Sequence, residues 1–226
     1  MEQAIKVLIY THAFFGGVGL ITGIGSIIVP KGQQLHKKMG KLFSIGMITS
    51  SLISLPICSI PKHQNVFLFL IGLFTIYLVL SGNRALTFKR KMKSDLIDQL
   101  ISGTMLFFSL IMISLGIYCQ FNSTENGILF TFFGGFGLFM TIKDFVFYAT
   151  ISATNKNWLS KHIGKMIGAL IASITAFIVA GLGFENLIAW ITPTILGTIY
   201  IIYWNKKTER KVPKTIKIRI KNQSDS

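Results

Sequence analysis

Apolar residues in this chain recur neither every second residue, as in a half-buried strand, nor as one stripe of a surface helix; they run on until a short charged or Gly/Asn/Pro-containing break ends them. Seven such runs lie at 5–29, 39–59, 65–83, 96–119, 127–149, 162–182 and 186–204. A helix needs roughly 20 apolar residues to cross the hydrocarbon of a bilayer, so each run predicts one crossing. Strands of a membrane barrel would alternate in segments of about ten residues, and these runs do not. Helices also satisfy their own backbone hydrogen bonds, as lipid demands. The first run contains His12, is too long for a signal peptide and lacks a small-residue cleavage site, so it reads as a retained helix. The expected fold is all-α and polytopic, with one transmembrane domain over 1–204 and a basic tail over 205–226.

Composition closes off the soluble alternative. Of 226 residues, 51% are hydrophobic and 14% charged, against about a quarter charged in ordinary domains. The net charge of +15 would suggest nucleic acid in a soluble protein, but here its placement along the loops carries the information. If the loops alternate sides, nineteen basic residues fall on the side of the tail and only Lys6 and Lys62 on the other. The positive-inside rule then places the amino terminus outside and the tail in the cytoplasm. In that tail Ile216, Ile218 and Ile220 alternate with Lys217, Arg219 and Lys221. Such a segment suits anionic lipid headgroups, at about 1 kcal/mol per basic residue, or simply enforces topology. It is not read as a nucleic-acid site.

The chain also matches itself. Phe14, Phe15, Gly16, Gly17, Val18, Gly19 and Leu20 return as Phe132, Phe133, Gly134, Gly135, Phe136, Gly137 and Leu138, six of seven identical. Gly40 and Lys41 pair with Gly164 and Lys165, and Thr75, Ile76 and Tyr77 with Thr198, Ile199 and Tyr200. An offset of four spans predicts a parallel 3+1+3 repeat, with units over 5–86 and 127–207 and a linker helix over 96–119. The glycines themselves have a packing role first, Gly19 and Gly23 forming a small-xxx-small pair.

Few residues in the runs can carry chemistry. His12 sits in the outer third of the first run, where an imidazole needs a partner or water; His63 falls in a short outer loop. His36 and His162 sit just before the second and sixth runs, at matching cytoplasmic depth, and Asp98 and Asp144 lie at similar depth. A His/Asp group there could hold a metal ion or relay protons, or its members could hydrogen-bond helix ends, with Asp98 favourably placed in a first turn. Haem b held by two histidines needs both at one depth on facing helices. Only His36 with His162 meets that condition, and at the membrane edge. Cys58 and Cys119, both near outer span ends, could form one disulfide if their helices touch. Asn122, Ser123 and Thr124 match a glycosylation acceptor. Trp158, Trp190 and Trp204 sit where tryptophan anchors helices to interfaces. No protease triad, zinc-protease helix or phosphate loop occurs, so soluble-type enzymology is not indicated.

Lys31, Gly32, His36, Gly40 and Phe43, followed by His162, Ile163, Met166 and Ala169, then Thr175, Ala176 and Phe177, then Trp190, Pro193 and Thr194, form a spaced set. It resembles an uncharacterised family of bacterial multi-pass membrane proteins, a domain of unknown function. The resemblance implies a bacterial inner membrane protein and assigns no activity. The order of three helices, a linker and three helices also resembles the SWEET sugar transporters, although their Pro-Gln signature is missing here; this likeness concerns fold. Three readings follow: a small-solute or proton-coupled carrier using His12, His36, Asp144 and His162; a haem or metal redox protein using His36 and His162; and a non-catalytic membrane component.

Overall fold

A computed structural model describes residues 2–61, 63–122, 127–151, 157–184 and 186–210. The alternating basic tail beyond 210, Lys62, Lys156 and the Ser123 and Thr124 half of the glycosylation match lie outside the described residues. Among the described residues there are seven helices long and apolar enough to cross a membrane. They are α1 (Glu2–Ile28), α2 (Gln34–Ile57), α3 (Val66–Ala85), α4 (Leu96–Phe121), α5 (Gly127–Ala149), α6 (Asn157–Ala176) and α7 (Leu187–Arg210). A 3-10 turn, Leu86–Lys89, extends α3, and a π turn, Phe177–Gly181, extends α6. The protein is therefore an all-α polytopic membrane protein.

Two helices start before the apolar runs do. The sequence places His36 and His162 just before the second and sixth spans, but both are helical, in the first turn of α2 and the second turn of α6. Hydropathy marks hydrocarbon, whereas a helix continues into the interface, where polar side chains reach water while the backbone keeps its own hydrogen bonds. Local caps set other ends. Asn65 accepts the N–H of Leu68 at 2.9 Å. Asp95 and Asp98 form a reciprocal capping box at the start of α4. Gly183, at φ 76°, turns the chain from the π segment toward α7 in a left-handed conformation that favours glycine.

The helices α3 and α6 pack on each other at the centre. The α1–α2 hairpin lies to one side, its α2 against α3, and the α4–α5 hairpin to the other, its α4 against α3; α7 packs on α6. Lipid offers no hydrophobic drive for helices to associate, so close backbone approach supplies the contact. A Cβ on Gly46 of α2 would stand 2.8 Å from the Phe15 carbonyl of α1. One on Gly134 of α5 would stand 2.9 Å from the Ile113 nitrogen of α4. Gly19 and Gly23 receive the side chains of Met47 and Phe43. Helix pairing repeats in part at the four-helix offset: α7 packs on α6 as α3 packs on α2, whereas α1 lies along α2 while α5 lies along α4 and reaches α6 mainly through side chains.

One apolar core runs through the bundle, with Phe67, Phe74, Leu78, Met105, Met112 and Leu170 among its members. Trp190, expected as an interfacial anchor, is 6% exposed and packs edge-on to Phe67 at 5.0 Å. The condition for a Cys58–Cys119 disulfide, that their helices touch, is not met, and the bond is not formed. Both residues are thiols, on the C-cap of α2 and on α4, two helices that do not pack together. Their similar depth placed them on one level without placing them side by side. Burial pushes the Cys58 thiol up from its ordinary value.

Candidate functional site

The α1–α2 and α3–α4 turns, the end of α5 and the start of α6 lie at one end of the bundle, called here the basic face. At 1.5 Å per residue, Asp144 lies about 8 Å below that end of α5, and Lys165 about 12 Å along α6. Both are closed off from outside, at 1% and 4% exposed. An ionisable group at such depth is costly unless paired, and is a functional candidate for that reason.

Asp144 organises the site. Its Oδ2 accepts hydrogen bonds from the Tyr77 hydroxyl at 2.7 Å, the Ser102 hydroxyl at 3.0 Å and the Lys165 ammonium at 3.0 Å. Lys165 also donates to the Tyr77 oxygen. The ammonium of Lys161 lies 3.0 Å from Asp144 Oδ1 without the alignment of a hydrogen bond, and sits 4.2 Å and 4.3 Å from the ring centres of Phe147 and Tyr148. Aromatic faces attract a desolvated cation. They do not accept its three protons as oxygens would. One carboxylate thus faces two ammonium groups, and the closed cluster, with every group in its ordinary charge state, carries one surplus positive charge.

Hydroxyls lead from this cluster toward the basic face. The Tyr148 hydroxyl lies 3.0 Å from that of Ser102 and 3.4 Å from the Asp98 carbonyl. Asp98, 1% exposed, pairs with Arg84 Nε and, at 3.2 Å, with Lys91. Arg84 Nη2 forks onto both oxygens of Asp95 at 2.6 Å and 2.9 Å, and Lys91 pairs with Asp95 as well. The hydrogen bond from Lys91, then those involving Asp98 and Arg84, hold the Asp95 carboxyl well below the usual carboxylate range. Lys91 is raised: partial burial opposes this, but the bonds to Asp95 and Asp98 outweigh it. Asp98 therefore has the first-turn position expected of it, with two cationic partners besides.

The three histidines in helices share one arrangement. Nδ1 of His12 lies 2.9 Å from the Ser50 carbonyl, that of His36 2.9 Å from the Ser26 carbonyl, and that of His162 2.8 Å from the Gly82 carbonyl. A carbonyl only accepts, so each Nδ1 carries a proton, and a ring with that single proton keeps the Nε2 lone pair. His12 is further tied by the Ser50 hydroxyl, which donates to the His12 carbonyl at 3.0 Å. This bond braces α1 on α2. Among the described residues no three His, Cys, Asp or Glu side chains gather in a metal-binding group. Asp144 and Asp98 join the hydroxyl chain, whereas neither pairs with a histidine.

Sequence reasoning found Asp144 and Asp98 but missed Lys161, Lys165, Tyr77, Ser102 and Arg84. Lys161 and Arg84 had counted as loop charge, and Lys165 and Tyr77 as repeat markers. The available signal was the spacing of Lys161 and Lys165, which puts two ammonium groups on one helix face at the entrance of an apolar run. Lys143 is a useful contrast. It lies one residue from Asp144, yet it is exposed and reaches back over the Phe139 ring at 4.5 Å. Comparison with known protein families, with curated proteins and with solved structures found no match.

Proposed function

We propose that this chain is a proton-coupled carrier of small solutes in a bacterial inner membrane, with its amino terminus outside and its basic tail cytoplasmic. The observation that carries the reading is the buried pairing of one carboxylate, Asp144, with two ammonium groups, Lys161 and Lys165. A surplus charge in a low-dielectric interior is relieved by releasing a proton or by admitting an anion. Either event changes the state of the site, and coupling needs such a change. The Tyr77, Ser102 and Tyr148 hydroxyls supply a hydrogen-bonded route between this centre and the Arg84–Asp98 network at the basic face. Lys31, Gly32 and His36 with their following motif, taken with the basic loops, support the bacterial inner-membrane placement.

Alternating access is the property to test, since it needs no knowledge of the solute. A cysteine at Gly168, in a chain with Cys58 and Cys119 replaced by alanine, stands on α6 one turn below Lys165. A Cβ there makes only ordinary contacts with Leu78 at 3.6 Å. Membrane-impermeant thiol reagents are expected to label it from both sides, in right-side-out and inside-out vesicles, and acidification is expected to shift the ratio of the two rates. Protection from both sides at every pH would sink the carrier reading.

A second reading rests on the histidine tautomers. A ring that donates Nδ1–H to a carbonyl presents Nε2 as a metal ligand does, and His36 and His162 both do so. A two-histidine centre for haem or a redox metal predicts a visible spectrum that disappears in His36→Ala and His162→Ala. Protein produced with ample haem and metal that shows no such spectrum would remove this alternative.

A further inference from the structure

An apolar groove of about 560 Å³ opens between α6 and α7, walled by residues such as Ile171, Ile174 and Leu196 and reaching Ile27 of α1 and Tyr200. Toward the basic face it ends at Tyr200, whose hydroxyl lies 3.4 Å from the Ile27 carbonyl. One turn further on, Trp204 packs against Tyr200 at 6.1 Å between ring centres. Two ammonium groups meet on the Trp204 ring: that of Lys31, from the α1–α2 turn, at 5.0 Å, and that of Lys207, from α7, at 4.8 Å. Among the described residues no carboxylate pairs with either lysine. Lys31 spends hydrogen bonds on the Ser26 (3.4 Å) and Ile27 carbonyls at the end of α1 and on that of Val29 just past it (3.3 Å), and Lys207 has one on Tyr203 at 3.4 Å. Those bonds hold the ammonium groups in place, and no carboxylate among the described residues balances their charge. Burial and the nearby Lys207 both lower the pKa of Lys31.

We infer that this groove is a binding site for one anionic phospholipid, its acyl chain between α6 and α7 and its headgroup phosphate against Lys31, Lys207 and Trp204. Charge complementarity selects the headgroup. Two like charges brought together on an aromatic face at membrane-surface depth are balanced by an anion, and the anion that arrives there with an apolar tail is a lipid. The groove selects the orientation, because its walls are apolar until Tyr200 and the charges begin just past it. A pocket of this volume suits a molecule of chain-like or drug-like size. The site is independent of the Asp144 cluster, which faces α3, α4 and α5 rather than α7.

The test is native mass spectrometry and thermal denaturation of the full chain in a neutral detergent, with phosphatidylglycerol or phosphatidylcholine of identical chains added. Wild type is expected to retain phosphatidylglycerol and to melt higher in its presence, with no comparable effect of phosphatidylcholine. Lys31→Gln with Lys207→Gln is expected to weaken phosphatidylglycerol retention about thirty-fold, the effect of two interfacial basic residues. Leu196→Trp, a change at a lipid-exposed position that fills the groove, is expected to abolish retention with the charges intact. The basic tail is present in every variant, so its contribution cancels. Equal retention of both lipids by wild type overturns the site, as does either variant that retains phosphatidylglycerol as fully as wild type. Competition by inorganic phosphate at millimolar concentration would show a plain anion site and overturn the lipid assignment. If Lys31→Gln disturbs the end of α1, Leu196→Trp alone still decides.

Discussion

Replacing Asp144 by Asn removes the one negative charge from a cluster that holds two ammonium groups within 3.0 Å of it. The amide keeps an acceptor for Tyr77 and Ser102, so packing changes little and the loss is chiefly electrostatic. Breaking a buried ion pair by deleting one partner costs about 3–5 kcal/mol, because the remaining charge is left without compensation. At about 2–4 °C per kcal/mol for a chain of this size, Asp144→Asn is expected to melt roughly 6–20 °C below wild type in detergent or nanodiscs. Lys165→Met behaves differently. It leaves Asp144 and Lys161 as a balanced pair and forfeits the two hydrogen bonds to Tyr77 and Asp144, about 1–3 kcal/mol in total. The double variant Asp144→Asn with Lys165→Met leaves one surplus charge instead of two, so it is expected to recover about 1–3 kcal/mol relative to the sum of the single changes. Melting by intrinsic tryptophan fluorescence measures all four proteins. An Asp144→Asn melt indistinguishable from wild type, or strict additivity in the double variant, would refute the charge argument.

Other expectations follow from single contacts. Gly46→Leu drives a side chain into the Phe15 carbonyl of α1, where a Cβ alone would already stand at 2.8 Å; it is expected to lower stability by about 3 kcal/mol or more, read as loss of monodisperse protein on size exclusion. Lys143→Gln, beside Asp144 in sequence but exposed, is expected to change stability by less than about 0.5 kcal/mol, and a melt as low as that of Asp144→Asn would mean that Lys143 belongs to the cluster. Asp95 titrates below its ordinary value, so its pairing with Lys91 and Arg84 contributes fully above the unfolded pKa of about 4 and is lost as pH falls through the folded pKa. The melting difference between wild type and Asp95→Asn is expected to stay constant from neutral pH down to about pH 5 and to narrow only below about pH 4. A difference that narrows between pH 8 and 6 would assign the effect to another group.

The number of helices was legible because lipid leaves hydropathy as nearly the only rule, and the run at 127–149 coincides with α5. Helix ends were less so, since His36 and Lys161 belong to helical turns that extend beyond the hydrocarbon. Neighbours were least legible. Matching Phe14–Leu20 to Phe132–Leu138 relates α1 to α5, yet α1 takes α2 as its partner and α5 takes α4. The pairing depends on where Gly46 and Gly134 let backbones approach, a property of two surfaces together. The same gap hid the Asp144 cluster: its members come from α3, α4, α5 and α6, and depth alone could collect Asp144 and Asp98 but could not bring Tyr77 and Lys165 to them. The His36 and His162 match at one depth rested on spacing near a helix start, and each ring found its carbonyl on a different neighbour, Ser26 of α1 and Gly82 of α3.

The two central helices divide along their length into an ionic half and an aromatic half. Toward the basic face, α3 contributes Tyr77, the Gly82 carbonyl and Arg84, and α6 contributes Lys161, His162 and Lys165. Toward the other end, Phe67 of α3 lies within 5.1 Å of Phe130 and 5.0 Å of Trp190, and 5.7 Å from Phe133. Packed rings of this kind stop ions and water, so, on the proposed carrier function, a state that loads the cluster from the far side has to part them. Trp190 belongs to α7, and the chain reaches α7 through the π turn at Phe177–Gly181 and the left-handed Gly183. A π turn is a weak point in a helix because its hydrogen-bond register is already shifted. Movement of α7 with the last turn of α6 would withdraw Trp190 from Phe67 while leaving Lys161 and Lys165 on Asp144. The groove between α6 and α7 lies along that same seam, so a lipid seated there would hold the aromatic half closed.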